Sequence, residues 1–335
     1  MKYTLLLWPH ANARYQSETR RLALCELDLM LRRVAPEAVA EIDGDADMPS
    51  LTLDNPEPLG ESAVRAIRGH SLLYGLFEKR DDGALLPLAG REPARLGADL
   101  PAILKYKGKT NELFLQLLIN VALFSGEYWS IDGPLEFLDP MCGRATAPFI
   151  ALNRGWNALG ADIDKNDLKE AERFYKRYLE YHRYKYTMNR ESRTVRGAAA
   201  VPVTIFEAGD AKAGNTVRLS LANADAGQLS RAYGKNRFHL IACDLPYGVQ
   251  HETHGPRGKN GLEALLATVL PGWREMLRPG GSVAVSFNAQ TLRRDSVRKI
   301  MTGAGFETLS GDAYDGFEQW VEQAITRDIA VCRKI

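Results

Sequence analysis

The sequence contains no long apolar stretch. No run of apolar residues approaches the roughly 18 that a membrane-spanning helix needs. The opening MKYTLLLWPH is too short for a secretory signal and is followed directly by the polar ANARYQSETRR. We therefore expect a cytoplasmic protein with no membrane span.

Cysteine is scarce and dispersed. Cys25, Cys142, Cys243 and Cys332 lie far apart and form no C-x-x-C pair. This spacing argues against a zinc site and against the disulfide framework of a small secreted protein. We expect the four thiols to be buried as small apolar groups.

No charge of one sign is in clear excess. The net charge is +1, and residues 1–100 contain 12 basic and 16 acidic side chains, so the positive excess lies in the remainder. An acidic segment is a poor platform for nucleic acid, because phosphate contacts rely on Lys and Arg. The 335 residues are enough for two domains.

Residues 1–100 read as a small α+β domain. YTLLLW and SLLYGLFEK are typical of strands, and ESAVRAIRGH has helical spacing. SETRRLALCELDLMLRRV also has helical spacing, with Ser17 or Thr19 as the expected N-cap. Asp81-Asp82-Gly83 predicts a turn into ALLPL, and AGREPARLGADLPA reads as a linker.

Residues 101–335 alternate strands and helices. NELFLQLLINVALF is an apolar helix, and a long helix is expected from Lys165 to Met188. Strands are expected at 135–139, 157–164, 203–210, 237–244 and 281–287, and FETLSGDAY and AITRDIAVCRK can pair as a closing antiparallel hairpin. This alternation predicts a parallel sheet covered on both faces. Ligands bind such sheets at the carboxyl ends of the strands.

The first of these strand ends is FLDPMCGRAT. Asp139 ends the strand, and Gly143 permits a tight turn close to a ligand before the next helix. The stretch is not G-x-G-x-x-G, which makes a nicotinamide-dependent dehydrogenase a poor fit. An adenosine without a pyrophosphate fits better.

Two further strand ends carry an acid. Asp162 closes the strand GADID, where a carboxylate can accept hydrogen bonds from both ribose hydroxyls of an adenosine. Asp164 is better placed to cap the following helix. Asp210, in FEAGDAK, can accept from an adenine amino group or can be an ordinary turn residue.

The fourth strand end, CDLPYG, suits an amine. Asp244 and the carbonyl of Leu245 can each accept a hydrogen bond from an NH₂ group, which favours its pyramidal, nucleophilic form. Pro246 fixes the backbone. Tyr247 offers a ring on which a base can stack.

DPMCGRAT followed by DLPYG resembles the amino-directed class I S-adenosylmethionine methyltransferases. The order of the motifs is similar to that of the RNA methylase group, which includes THUMP-domain and related tRNA guanosine-N2 methyltransferases. The resemblance covers residues 101–335. It implies a Rossmann-like, seven-stranded α/β sheet in that domain, with residues 1–100 as a small N-terminal α+β domain that could bind substrate.

The resemblance also implies S-adenosylmethionine as the cofactor, and the cysteine and histidine spacings indicate no metal site. It assigns the amine clamp to Asp244, Leu245, Pro246 and Tyr247, and the cofactor to Asp139, Pro140, Cys142, Gly143, Asp162, Ile163 and Asp210. KYKGKTNELFLQLLINVALF is similar to the family segment that covers the methionine end, which implies that Thr110 and Asn111 lie near it. Arg144 and Ala145 depart from the small-Gly-Thr of the family, and Thr146 alone agrees.

The expected activity is methyl transfer to a nucleobase amine, first guanosine N2 in tRNA or another structured RNA. An adenine-N6 DNA methyltransferase and an enzyme acting on a protein or small-molecule amine remain alternatives. So does a methyltransferase-like subunit without activity, and a partner subunit remains open.

Two stretches bear on the substrate. Residues 173–196 contain eight basic, two acidic and six aromatic residues, with Phe174, Tyr178 and Tyr181 on one helical stripe. The stripe either packs on the sheet or helps to guide a nucleic-acid strand. In GVQHETHGPRGKNG the spacing H-E-x-H is not that of a metal site, and a basic lid using Arg257 and Lys259 is expected.

Overall fold

The computed structural model describes residues 1–9, 13–44, 48–195, 197, 199–210, 212, 214–246 and 259–335. These residues form two compact units. One consists of Met1–Glu92 and Ser310–Ile329, and the other of Pro93–Leu309 and Ala330–Ile335. The first boundary lies near the expected one at residue 100, whereas the inclusion of Ser310–Ile329 in the first unit was not expected.

The first unit is built on an antiparallel sheet of five strands in the order β2-β3-β1-β4-β5. Its elements are β1 (Lys2–Leu7), α1 (Ala13–Val34), β2 (Val39–Ile42), β3 (Ser50–Asp54), α2 (Glu61–Arg68), β4 (Leu73–Lys79), β5 (Leu85–Gly90), α10 (Asp312–Asp315) and β14 (Gln319–Glu322). Helix α1 contacts both α10 and β14. The later segment is therefore an integral part of this unit.

The sequence predicts the first unit in part. The hairpin of β4 and β5 is confirmed, and its turn is closed by a hydrogen bond of 2.9 Å from the Gly83 amide to the Arg80 carbonyl, with Gly83 at φ +85°. The N-cap prediction is wrong: α1 begins at Ala13, so Ser17 and Thr19 lie within the helix. The preceding Ala, Arg and Gln are good helix formers and extend it.

The second unit alternates helices and strands. Its elements are α3 (Leu100–Ile103), α4 (Glu112–Ser125), β6 (Glu136–Asp139), α5 (Thr146–Asn153), β7 (Asn157–Asp162), α6 (Lys165–Tyr181), β8 (Tyr186–Arg193), β9 (Val201–Ala208), β10 (Val217–Asn223), α7 (Leu229–Tyr233), β11 (Phe238–Asp244), α8 (Lys259–Met276), β12 (Leu277–Asn288), α9 (Arg294–Gly303) and β13 (Glu307–Leu309). The last strand, β15 (Ile325–Arg333), contains the boundary between the two units.

The large sheet has the strand order β13-β15-β12-β11-β6-β7-β10-β9-β8, with β14 beside β15. Strands β6, β7, β11 and β12 are parallel, as expected, and β10, which was not expected, is parallel to them as well. The closing antiparallel pair of β13 and β15 is also confirmed. The expected number of seven strands is not: the described residues place ten in this sheet, two of them in the antiparallel hairpin of β8 and β9 at one edge.

The long helix after β7 is shorter than expected. Helix α6 ends at Tyr181 rather than Met188, Arg183 takes a left-handed conformation (φ +58°), and β8 follows. A non-glycine residue in that conformation ends a helix because the backbone cannot continue the right-handed spiral. Of the predicted aromatic stripe, Tyr178 is buried and Tyr181 is 83% exposed. The stripe therefore packs against the unit over part of its length.

Helix α4 is apolar on every side. Its residues from Leu117 to Ser125 are all buried, and the helix contacts α5, β11 and β12. A helix that is hydrophobic all round belongs in the interior. Among the described residues, no helix combines the length and hydropathy needed to cross a membrane.

Candidate active site at the carboxyl ends of the central strands

Three acids lie at one edge of the large sheet. Asp139, Asp162 and Asp244 are the last residues of β6, β7 and β11. These strands are parallel, with Asp139 beside Gly160 and Ile241 beside Leu138, so their carboxyl ends meet at the same edge. The sequence predicted this arrangement.

Asp139 is affected by its burial and by the other two carboxylates. Burial is the largest cause that raises the pKa of Asp139 well above its usual value, and the nearby charges of Asp162 and Asp244 raise it further. Burial also raises the pKa of Asp162. The edge therefore concentrates negative charge where solvent stabilises it poorly.

The loop after β6 is held by hydrogen bonds to both acids. The Met141 amide donates to Oδ1 of Asp139 (3.1 Å), and the Gly143 amide donates to Oδ2 of Asp162 (2.8 Å). Gly143 has φ +50°, and a Cβ built there would meet no atom within 4 Å. The glycine therefore serves the turn and leaves open space beside it.

Two of the predicted loop residues are packed inward. Pro140 is buried, and Cys142 is 7% exposed. A Cβ added to Gly160 would lie 2.8 Å from Sγ of Cys142 and 3.0 Å from Cγ of Pro148, so the thiol packs closely on β7. Burial raises the pKa of Cys142 well above its usual value. The Cys142 side chain therefore packs the loop after β6 against β7.

Of the residues around Asp162, Asp164 has the N-cap role that was expected of it. Asp162 Oδ1 also accepts a hydrogen bond from the Asp164 amide (2.8 Å). Asp164 caps α6, because its Oδ1 accepts from the amides of Asn166 (2.7 Å) and Asp167 (3.4 Å). Ile163 between them is 65% exposed, an apolar side chain at the same edge.

Arg144, which departs from the family pattern, has a structural partner. Its Nε donates to Oδ1 of Asp167 (2.8 Å), and its Cζ lies 4.6 Å from the centre of the Tyr106 ring. The Tyr106 hydroxyl is hydrogen-bonded to Thr146, and burial raises the Tyr106 pKa. Arg144 thereby fastens the segment before α4 to the loop after β6.

Two hydrogen bonds fix the predicted clamp residues Asp244 and Leu245. The Thr110 hydroxyl donates a hydrogen bond to Oδ2 of Asp244. The Leu245 amide donates to the Ser286 carbonyl (2.9 Å), and the Leu245 side chain is 1% exposed. Pro246 follows directly. Tyr247 lies outside the described residues.

Thr110 and Asn111, expected near the methionine end of the cofactor, each make a hydrogen bond within the chain. Thr110 contacts Asp244, as described above. Asn111 caps α4, since its Oδ1 accepts from the amides of Leu113 (2.8 Å) and Phe114 (3.3 Å). Its side-chain oxygen is thus committed to the helix.

The prediction for Asp210 is wrong. It follows β9, which is antiparallel to β10, with Ala208 beside Val217 at the amino end of β10. Because β10 is parallel to β7, Asp210 lies at the opposite edge of the sheet from Asp162. Its Oδ1 accepts from the Lys212 amide (2.9 Å), which is the ordinary turn role.

At the edge of the sheet where Asp210 was expected, the residues that follow β10 lie beside Asp162. Asn223 ends that strand, and its Nδ2 donates to the carbonyls of Asp162 (3.0 Å) and Ile163 (3.1 Å). Asp225 is two residues further on, and its Oδ1 accepts from the Gly227 amide (2.8 Å). The signal for this strand end was the alternation in VRLSLAN just before NADA.

Some of the basic residues in the described part of the stretch 173–196 form ion pairs within the chain. Arg173 pairs with Glu170 (2.9 Å), and Arg190 pairs with Glu172. Such pairs are typical of a solvated face and do not point to phosphate binding. His251, Glu252, His254 and Arg257 lie outside the described residues, as does the side chain of Lys259.

No protein-family model and no curated protein matches this chain. Among solved structures, a methyltransferase from Pyrococcus furiosus is 15% identical, covering 71% of this chain and 93% of that one at a TM-score of 0.41. Magnesium protoporphyrin IX methyltransferase from Synechocystis PCC 6803 with bound SAM is 15% identical, covering 69% and 87% at 0.39. A 1,6-didemethyltoxoflavin-N1-methyltransferase from Burkholderia thailandensis, with bound 1,6-didemethyltoxoflavin and S-adenosylhomocysteine, is 15% identical, covering 60% and 72% at 0.36. The likeness is one of backbone fold, at low identity and low TM-score.

Proposed function

We propose that this chain transfers a methyl group from S-adenosylmethionine to an exocyclic amine of a nucleobase. The observation that carries the proposal is the position of Asp244. It ends β11 at the same edge as Asp139 and Asp162, and Thr110 holds its carboxylate. The resemblance of DPMCGRAT and DLPYG to amino-directed methyltransferases supports the same function.

The residues at this edge fit the cofactor. S-adenosylmethionine carries a sulfonium and an ammonium group. A cation beside Asp139 would offset the burial, and the repulsion from Asp162 and Asp244, that raise the pKa of that acid. Asp162 already accepts two amide hydrogen bonds, but each carboxylate oxygen can accept a second, so ribose hydroxyls can still be bound. The open space beside Gly143 is consistent with a ligand close to the backbone. When bound, the cofactor supplies an activated methyl group.

The chain's own part in the reaction is to orient the amine. The Asp244 carboxylate and the Leu245 carbonyl accept its two hydrogens, which keeps the nitrogen lone pair out of the ring system and directs it outward. The hydrogen bond from Leu245 to Ser286 fixes the end of β11, and Pro246 restricts the next residue. Much of the rate enhancement would come from this positioning.

The proposed substrate is RNA, with guanosine N2 in tRNA first. The similarity of D-L-P-Y-G to the guanosine-N2 branch of the family supports this choice. A base inside a duplex would have to be flipped out or already unpaired to reach Asp244.

Incubation with radiolabelled S-adenosylmethionine tests the proposal, using bulk tRNA, bulk rRNA and genomic DNA in parallel. We expect label in tRNA, recovered as N2-methylguanosine after digestion to nucleosides, and none with Asp244→Ala. Label in DNA alone would instead favour adenine-N6 methylation. Label only in added protein or small amines would reject a nucleobase substrate.

A further inference from the structure

Thr110 and Asp244 meet although 134 residues separate them in the chain. We propose that Thr110 is a positioning residue, whose hydroxyl orients the Asp244 carboxylate for the acceptor amine. This inference rests on the proposed function, because it assigns Thr110 a part in the same reaction. It differs from the role in cofactor binding that the family resemblance implies for Thr110.

The residues before and after Thr110 in the chain are both anchored. On one side Asn111 caps the buried helix α4, which contacts β11. On the other, Nζ of Lys109 donates to the Pro101 carbonyl (2.7 Å) and forms an ion pair with Glu112 (3.4 Å). A residue between two such anchors can fix the direction of a hydrogen bond, and a freely moving loop residue cannot.

The hydrogen bond selects one orientation of the carboxylate. The terminal torsion of an aspartate is broad, so the plane of its carboxylate is set by its partners. A carboxylate oxygen has two lone pairs, so the Oδ2 that accepts from Thr110 can accept a second hydrogen from an amine.

The acids near Asp244 give a reason for a hydrogen-bond donor such as the Thr110 hydroxyl at this position. The Asp139 carboxylate is close enough to Asp244 for the two charges to repel, and Asp162 and the thiol of Cys243 lie in the same environment. A hydroxyl that donates to Asp244 compensates part of this repulsion and keeps the carboxylate directed toward the substrate.

If Thr110 orients Asp244, loss of its hydroxyl should change different kinetic constants than if Thr110 binds the cofactor. A residue that orients Asp244 affects the step in which the amine attacks, so its loss lowers kcat. A residue that binds the cofactor in the ground state affects the KM for S-adenosylmethionine.

Thr110→Val removes the hydroxyl and keeps the branched shape, and Thr110→Ser keeps the hydroxyl. With bulk tRNA as acceptor, we expect kcat to fall about tenfold in the valine variant, as for one lost hydrogen bond to a charged group. The KM for S-adenosylmethionine should change by less than about threefold, and Thr110→Ser should retain most of the wild-type kcat. A tenfold rise in that KM at unchanged kcat, or no change at all, would overturn the proposal.

Crystal structures of the two variants test the contact without any acceptor. We expect the Asp244 carboxylate to be rotated in Thr110→Val and to keep its orientation in Thr110→Ser. An unchanged carboxylate in the valine variant would refute the positioning role even if wild-type activity is found. Absence of label transfer by the wild type would refute the proposed function, and a carboxylate rotated only in Thr110→Val would still show that Thr110 orients Asp244. Thr110→Ala provides a second hydroxyl-free variant should valine prevent folding.

Discussion

Asp139 illustrates how a single buried carboxylate can reduce stability. It is 5% exposed, and burial together with Asp162 and Asp244 raises its pKa. A group whose pKa is higher in the folded state binds its proton more tightly there. The free energy of unfolding therefore falls as the pH rises from the ordinary value of 3.8 through the raised one.

Asp139→Asn should thus stabilise the ligand-free protein above this pH range. We expect a gain of roughly 0.5–2 kcal/mol in the free energy of unfolding at pH 8, and a smaller loss of stability between pH 4 and pH 8. Part of the pH dependence should remain, because burial also raises the pKa of Asp162. Urea unfolding at several pH values measures both effects.

The same variant should bind S-adenosylmethionine about tenfold or more weakly, since one charged partner is lost. Calorimetric titration measures this affinity. Asp164→Asn is the matched control: asparagine caps α6 as well as aspartate does, so neither stability nor affinity should change appreciably. Lower stability of Asp139→Asn at pH 8, or unchanged cofactor affinity, would contradict the account.

The acid at the end of β11 should behave differently from Asp139 at the end of β6. Asp244→Ala should abolish detectable methyl transfer while leaving cofactor affinity within about threefold, because Asp244 serves the amine. Asp210→Asn should change neither quantity, since Asp210 lies at the opposite edge of the sheet. The measurements are label transfer and calorimetric titration. A large loss of cofactor affinity in Asp244→Ala would mean that this acid holds the cofactor.

At the scale of elements, the loop after β6 and the strand β7 depend on one glycine. The closest neighbours of an added Cβ at Gly160 are Sγ of Cys142 at 2.8 Å and Cγ of Pro148 at 3.0 Å. Gly160→Ala should therefore reduce the free energy of unfolding by about 1–3 kcal/mol through overpacking. Urea unfolding measures the loss.

Two further variants identify the cause of the stability loss expected in Gly160→Ala. The double variant Gly160→Ala with Cys142→Ala should recover part of the stability, because the nearest clashing atom is removed. Gly303→Ala should stay within about 0.5 kcal/mol of wild type, since a Cβ there meets no atom within 4 Å. Equal effects at Gly160 and Gly303 would show that close packing on Cys142 is not the reason for the glycine.

The secondary-structure elements also show how much of the fold could be predicted from the sequence. The strands that end at Asp139, Asp162 and Asp244 were predictable, because parallel strands buried on both faces read as short apolar runs. Strand β10 was missed: its alternation in VRLSLAN was not recognised, and the preceding strand-like VTIFEAGD was taken for the parallel strand. The strand direction of β9 depends on its pairing with β8 and β10, which the local sequence pattern does not encode. Because β9 was taken for a parallel strand, Asp210 was predicted at the edge of the sheet opposite to the one where it lies.

At the scale of the whole molecule, the return of Ser310–Ile329 to the first unit was beyond sequence reasoning, because it depends on contacts between distant residues. The Arg21 guanidinium donates hydrogen bonds to the carbonyls of Gly316 and Glu318. Phe317 between them is fully buried, and Cys25 lies so close to Gly316 that an added Cβ would be 2.5 Å from Sγ. This segment is packed as part of a core.

Residues 1–92 alone should consequently fail to form the first unit. The fragment lacks Phe317, and loss of one fully buried phenylalanine side chain typically costs about 3–5 kcal/mol, a large share of the stability of a small domain. We expect no cooperative urea transition by circular dichroism for residues 1–92. The same fragment joined to residues 310–329 by a flexible Gly/Ser linker should unfold cooperatively, and with Phe317→Ala it should not. A cooperative transition of residues 1–92 at the same midpoint as the linked fragment would show that the returning segment adds nothing to this unit.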